Sequence, residues 1–292
     1  MVYVMFPFVG SIKPTQMNDE KKVDHLSEVA ELYRPIGVPV KTPLKEFDEA
    51  MDGGVRGGEL VTLSGTSGTG KTSYALWLTK VLNQTGIPVL WFTFEMNPWY
   101  LKEKLIKMGG DPAVNIFVPI EHNGNSVEWI LERIKESQAL YACKVVFIDH
   151  LHYLIPFSQQ QNTSLIIGGV ARELKTLAVQ TDTIVFLIAH MRRLGVGEQV
   201  RVDAIRDSAL IANESDYVYL VERLEKKQSD GKALDEIYQM DYGELYTDFS
   251  RITLAKNRRT GSVFYRILKF DGQDFIRLNN DELETIKDKA KL

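Results

Sequence analysis

Apolar residues along this chain fall into short solid runs separated by stretches in which they recur every three or four positions. Leu60-Val61-Thr62-Leu63-Ser64, Pro88-Val89-Leu90-Trp91-Phe92-Thr93-Phe94, Lys144-Val145-Val146-Phe147-Ile148-Asp149, Thr183-Ile184-Val185-Phe186-Leu187-Ile188-Ala189 and Tyr217-Val218-Tyr219-Leu220-Val221 read as strands buried on both faces. Between them, Ser73–Leu82, Trp99–Met108 (closed by Gly109-Gly110), a segment capped by Ser126 with Val127, Ile130, Leu131 and Ile134 in register, and Thr163–Gln180 carry helical periodicity. Alternation of this kind predicts an α/β fold with a parallel sheet and right-handed crossovers. Near the end, Ser250–Ala255 and Ser262–Phe270 read as two antiparallel strands joined by Lys256-Asn257-Arg258-Arg259-Thr260-Gly261. Residues 222–249 read as a charged, irregular excursion, and the stretch after Asn279 as a charged tail. Ahead of the alternating part lie an apolar arm over residues 1–9 and a helix from Asn18 to about Tyr33. Val23, Leu26, Val29, Ala30 and Tyr33 share one face of that helix, and Pro35-Ile36-Gly37-Val38-Pro39 follows as a stiff linker. The predicted organisation is an arm and helix over 1–40, an α/β domain over 41–278, and a tail over 279–292.

Composition adds limits. With 292 residues, 44% of them hydrophobic and 25% charged, the chain can bury a sizeable core. The net charge of −4 excludes a surface that is basic throughout, so contact with nucleic acid has to come from a local patch. A single cysteine, Cys143, excludes an internal disulfide and fits a reducing compartment. The apolar arm is too short to span a bilayer and lacks a basic leader, so no membrane contact is expected.

The sharpest chemical signal is Gly65-Thr66-Ser67-Gly68-Thr69-Gly70-Lys71-Thr72, which fits G-x-x-x-x-G-K-[ST] between a predicted strand and a predicted helix. Glycines let consecutive backbone N–H groups converge on phosphate oxygens, and the helix that follows from Ser73 points its positive end at them. Lys71 is placed to reach the β- and γ-phosphates and the Thr72 hydroxyl to hold Mg²⁺, so ATP and Mg²⁺ are the expected ligands. Further candidates sit at strand ends, where functional groups of open parallel sheets gather. Asp149 is either a metal-holding carboxylate or an ordinary strand-ending acid. Glu95 is either a base for the water that attacks the γ-phosphate or the acid that opens the helix after Asn97-Pro98. His190 is either a γ-phosphate sensor or a structural histidine. Lys256 and Arg258 form either an exposed basic turn or a cationic finger for a transferring phosphoryl group.

The order of the P-loop, Phe94-Glu95-Met96, Ile148-Asp149-His150, Ala189-His190-Met191-Arg192-Arg193 and Lys256-Asn257-Arg258-Arg259-Thr260-Gly261 resembles that of RecA-like hexameric replicative helicases, the DnaB type with its Twinkle-like and phage relatives. Asp203–Ala209 is similar to that family's DNA-contacting segment. The resemblance covers roughly residues 40–275. It implies a RecA-like P-loop NTPase with a mostly parallel twisted sheet flanked by helices, and a linker helix at 18–33 that packs on a neighbouring subunit. By residue, it implies Lys71 and Thr72 on the phosphates and Mg²⁺, Asp149 on the metal, Glu95 on the water and His190 as sensor. Arg258, with Lys256, would act on ATP bound by the adjacent subunit. Arg193 and Arg201 in one loop, and Arg206, Asp207 and Ser208 in another, would contact single-stranded DNA in a central channel.

The partners so implied are single-stranded DNA, further copies of the chain in a ring, and a primase or loader, in the cytoplasm of a bacterial or phage-infected cell or an organelle matrix. The chain departs from the pattern in having Ala209 where bacterial members have glycine, in Glu198 between the channel arginines, and in the absence of a helical collar ahead of the ATPase region. A recombinase or a KaiC-like regulatory ATPase, which share this core, or a nucleotide-dependent scaffold or loader, each acting without unwinding, are the alternatives.

Overall fold

In the computed structural model, residues 25–32, 39–121, 126–154, 163–191, 201–202, 205, 209–225 and 246–289 are described. Arg193, Arg206, Asp207 and Ser208 fall outside them, as do the apolar arm, the first part of the helix expected from Asn18, and residues 226–245 of the excursion. The chain divides into two units, 1–36 and 37–292. The described part of the first is the helix α1 (Leu26–Leu32).

In the second unit a nine-stranded sheet runs in the order β3-β2-β4-β5-β1-β6-β7-β8-β9. Its strands are β1 (Leu60–Gly65), β2 (Val89–Thr93), β3 (Ile116–Phe117), β4 (Val145–Asp149), β5 (Ile184–His190), β6 (Tyr217–Glu225), β7 (Tyr246–Asn257), β8 (Phe264–Phe270) and β9 (Phe275–Arg277). The first six strands in that order are mutually parallel; β7, β8 and β9 extend the sheet as an antiparallel meander. The helices are α2 (Lys45–Ala50), α3 (Lys71–Gln84), α4 (Pro98–Lys107), α5 (Val127–Tyr141), α6 (Thr163–Thr181), α7 (Ala209–Glu214) and α8 (Asn280–Lys289).

Successive strand residues point to opposite faces, and the solid apolar runs therefore feed two cores. One face collects Val61, Leu63, Trp91, Phe147 and Phe186 against α2, α3 and α4. There Trp91, Phe147 and Phe186 stack across β2, β4 and β5, with ring centroids 4.7 Å apart at each step. The other face collects Leu60, Leu90, Val146, Ile148 and Leu187 against α5, α6 and α7. Capping follows local chemistry: Ser126 Oγ accepts from the Trp129 amide and Asn97 Oδ1 from the Trp99 amide.

Two expectations need correction. Part of the excursion at 222–249 is regular, because β6 continues to Glu225 and β7 already begins at Tyr246, the two pairing antiparallel. The stretch after Asn279 forms α8, and its Ile286 is fully buried against Leu224 in a small separate cluster. Two apolar residues, Leu283 and Ile286, among charges are too few to read as a helical face.

Candidate ATP site

β1 enters the phosphate loop through Gly65, where a Cβ would stand 2.2 Å from the Val221 carbonyl oxygen of the neighbouring β6. Only glycine fits that approach. Gly70, the N-cap of α3, has φ of 94°, a left-handed conformation that L side chains rarely adopt. These two positions fix the loop between a buried strand and a buried helix, whose Tyr74, Ala75 and Leu78 anchor it in the core.

Lys71 is buried, and its Nζ donates to the Gly65 and Thr66 carbonyls at 3.0 and 2.8 Å. Burial pulls this ammonium down to about 8, against the raising effect of Asp149 and Glu95. The lysine thus rests on its own loop, one side-chain swing from the space its glycines leave for phosphate. Thr72 Oγ1 donates to Asp149 Oδ2 at 3.1 Å, while Asp149 Oδ1 is buried with no hydrogen-bond partner among the described residues. Burial, and secondarily the Glu95 carboxylate, push Asp149 up to about 6. A buried, incompletely satisfied carboxylate beside a hydroxyl is a hard-oxygen pair suited to Mg²⁺.

Glu95 lies two residues beyond β2. Its amide and that of Phe94 donate to the Asp149 carbonyl at 3.2 and 2.8 Å, which holds the turn against the end of β4. His190 closes β5. The Nε2 atoms of His150 and His190 stand 3.5 and 3.6 Å from Glu95 Oε2. Burial, then His190 and His152, push His150 down to about 3; burial, then Lys71, lower His190, with Glu95 opposing. Lys71, Thr72, Glu95, Asp149 and His190 therefore meet at the C-terminal edge of four adjacent parallel strands.

Lys256 and Arg258 lie elsewhere. β7 runs antiparallel to β6 and ends at Asn257 opposite Tyr217, at the other edge of the sheet, roughly a strand's length of about 17 Å from the phosphate loop. Lys256 Nζ donates to the Ala212 and Asn213 carbonyls at 2.6 and 3.0 Å. Arg258 donates to Asp216 Oδ1 at 3.2 Å and to the Asn213 carbonyl at 2.5 Å. Asp216 in turn accepts from the Leu60 amide and Lys175, at 2.8 and 2.6 Å, and so ties this turn to the start of β1. Of the candidate DNA contacts, Arg201 is described and is exposed.

Sequence patterns did not mark a cleft of about 580 Å³ beside the loop, lined by Gly68, Gly70 and Ser73 together with Arg223, Lys269 and Phe270. Its far wall comes from β6, β8 and the turn after β8, which no motif ties to a nucleotide. His150 carried no assigned role either, although it follows Asp149 directly. Among the described residues no helix is long and apolar enough to cross a membrane.

Comparison with known proteins agrees with this fold. The chain superposes on one solved ATPase domain with a TM-score of 0.67 and 18% identity, covering 87% of this chain and 96% of that one. It superposes equally on a DnaB-like replicative helicase solved for its interactions with primase, at 0.67 and 18%, covering 87% of this chain and 67% of that one. Both share the fold. In sequence, the chain is 27% identical over 157 residues to DNA repair protein RadA of Streptococcus pneumoniae, covering 53% of this chain. It is 28% identical over 182 residues to circadian clock oscillator protein KaiC 1 of Synechocystis, covering 55%. Each alignment spans 35% of the relative's own length. The model of the DnaB-like helicase C terminal domain matches residues 112–279, which take in Asp149, His190, Lys256 and Arg258, and with the RecA-like sheet and phosphate loop this makes the chain a member of the DnaB-like helicase C-terminal domain family.

Proposed function

We propose that the protein is an ATP-driven motor that closes into a ring around single-stranded DNA and separates duplex strands as it moves. The observation that carries this reading is the division of the phosphate chemistry between the two edges of one sheet. Lys71, Thr72, Glu95, Asp149 and His190 stand at one edge, while Lys256 and Arg258 stand at the other, out of reach of their own phosphate loop. Such a pair of half-sites is completed when one subunit's turn faces the next subunit's ATP, and a ring closes every interface in that way.

At each interface the loop amides and the positive end of α3 receive the phosphates, and Lys71 leaves the Gly65 and Thr66 carbonyls for the β- and γ-oxygens. The nucleoside lies in the cleft beside Ser73, between Arg223 and Lys269. Thr72 and Asp149 would hold Mg²⁺, which when bound would neutralise charge that develops on the phosphates. Glu95 orients the attacking water and accepts its proton. His190 reads the γ-phosphate from the end of β5 and passes its loss to the segment that follows. Arg258 of the neighbour stabilises the charge on the transferring phosphoryl group. We assign Arg193, Arg201, Arg206, Asp207 and Ser208 to contact with the strand, for which a few cations per subunit suffice because the ring multiplies them.

Mass photometry with an ATP analogue and Mg²⁺, followed by a forked-duplex assay on the same sample, tests the reading. A closed ring that separates strands supports it. A filament, or a ring that hydrolyses ATP and leaves the duplex intact, refutes it. That second outcome would favour a recombinase or regulatory ATPase, the reading to which the RadA and KaiC 1 similarities lend weight.

A further inference from the structure

We propose that Glu95, His150 and His190 form a binding site for a borderline-soft divalent cation, Zn²⁺ in chemical class, separate from the Mg²⁺ pair at Thr72 and Asp149. One ligand atom from each of the three lies within 4.8 Å of the other two. His150 Nε2 and His190 Nε2 stand 3.5 and 3.6 Å from Glu95 Oε2. Both separations exceed an ordinary N–H···O hydrogen bond, whose range is about 2.7–3.2 Å. They approach the edge of a tetrahedron around one ion, about 3.3–3.4 Å for metal–ligand bonds of about 2.0–2.1 Å. The rings of His150 and His190 are 4.4 Å apart and nearly perpendicular, at 82°, so neither blocks the other's approach to a shared ion.

The ligand set sorts the metals. Two imidazoles and one carboxylate suit Zn²⁺, Co²⁺ or Ni²⁺, whereas Mg²⁺ takes oxygen ligands and is served by Thr72 and Asp149 next door. Three elements hold the ligands in place. Glu95 is pinned through the Asp149 carbonyl, His150 follows β4, and His190 ends β5. The His150 side chain is 12% exposed and that of His190 25%, while Glu95 is 46% exposed, so the site is walled by the imidazoles and open on the carboxylate side. A fourth position is left for water, as in sites with three protein ligands. Coordination through Nε2 puts the His150 ring proton on Nδ1 and gives up the long 3.3 Å contact from the His152 amide, a small loss.

The consequence is regulatory. A cation held here occupies Glu95 and His190, the groups assigned above to the water and the γ-phosphate, and so suppresses hydrolysis while leaving the phosphate loop able to bind nucleotide. That consequence rests on the proposed ATPase; the site itself does not.

The test is titration of untagged, nucleotide-free protein with Co²⁺ in excess Mg²⁺, read by visible absorption. One Co²⁺ per chain is expected, with the intense bands of a four-coordinate ion, and Zn²⁺ should displace it. Loss of a ligand in His150→Gln, or in Glu95→Gln should the first variant fail to fold, is expected to weaken Co²⁺ binding by more than the roughly 10–100-fold that loss of a ligand's outer partner costs. Absence of saturable binding in the wild type, or bands and affinity unchanged in the folded variant, overturns the site. Because the readout uses no nucleotide, a protein that hydrolyses ATP yet binds no Co²⁺ refutes this inference alone.

Discussion

Asp149 carries a cost in the nucleotide-free chain. Its carboxyl titrates at about 6 in the fold against 3.8 when exposed, so the folded form holds its proton more tightly. The fold is therefore most favoured, as far as this group goes, below 3.8, loses stability as pH rises from there to about 6, and is level above that. The penalty at neutral pH is on the order of 3 kcal/mol for a shift of this size. Asp149→Asn is accordingly expected to raise the melting temperature of the nucleotide-free protein at neutral pH, to lose that advantage near pH 4, and to abolish Mg²⁺-dependent hydrolysis. A thermal melt series across pH reads the first two; equal melting at neutral pH would show that the carboxylate is not desolvated as described. Glu95 makes a different prediction. Glu95→Gln removes the proposed base and keeps the shape, so ATP affinity should hold while hydrolysis falls about 10²–10⁴-fold, as measured by fluorescent-nucleotide binding beside phosphate release.

At the scale of elements, α8 is held by Ile286 against Leu224, Ile267 and Leu278. Ile286→Ala should cost about 2 kcal/mol in denaturant unfolding, at the low end for a buried isoleucine because the cluster is small, with little change in ATP affinity. An unchanged midpoint would mean the helix is not docked. This element also marks the limit of what the sequence discloses. The five buried parallel strands were legible because solid runs such as Val145–Ile148 can be satisfied only between two layers of helix, and the phosphate loop because Gly65 and Gly70 answer to backbone geometry rather than to side-chain packing. Asp149, Glu95 and His190 were legible as strand ends. What stayed hidden depends on contacts between segments distant in sequence. The cleft beside Ser73 joins Arg223 to Lys269, His150 meets Glu95 across two strands, and Ile286 packs on Leu224 of β6. The length of β6 and β7 was missed because residues 222–225 and 246–249 are mixed in polarity, and pairing with a neighbour, not an apolar run, makes them strands.

At the scale of the whole molecule, the two-edged sheet is the feature from which we propose that a single subunit is incomplete. The turn at Lys256–Arg258 is tied to Asp216 and the end of α7, at the opposite end of the strands from its own phosphate loop. Arg258→Ala should leave ATP binding nearly intact while hydrolysis drops about 10³-fold or more. Because Arg258 also pairs with Asp216, a melting curve must accompany that assay, and a loss of folding in place of a loss of rate would make the arginine structural.

The most direct measurement mixes two inactive variants, Lys71→Ala and Arg258→Ala, and follows single-strand-stimulated ATP hydrolysis against their ratio. Lys71→Ala subunits still present Arg258, and Arg258→Ala subunits still carry an intact phosphate loop. In equal mixture roughly a quarter of the interfaces of a ring pair an intact loop with an intact finger. The account predicts that the mixture regains activity that neither variant has alone, with a maximum near equal proportions. A mixture no more active than its components, in assemblies shown to contain both chains, would contradict it.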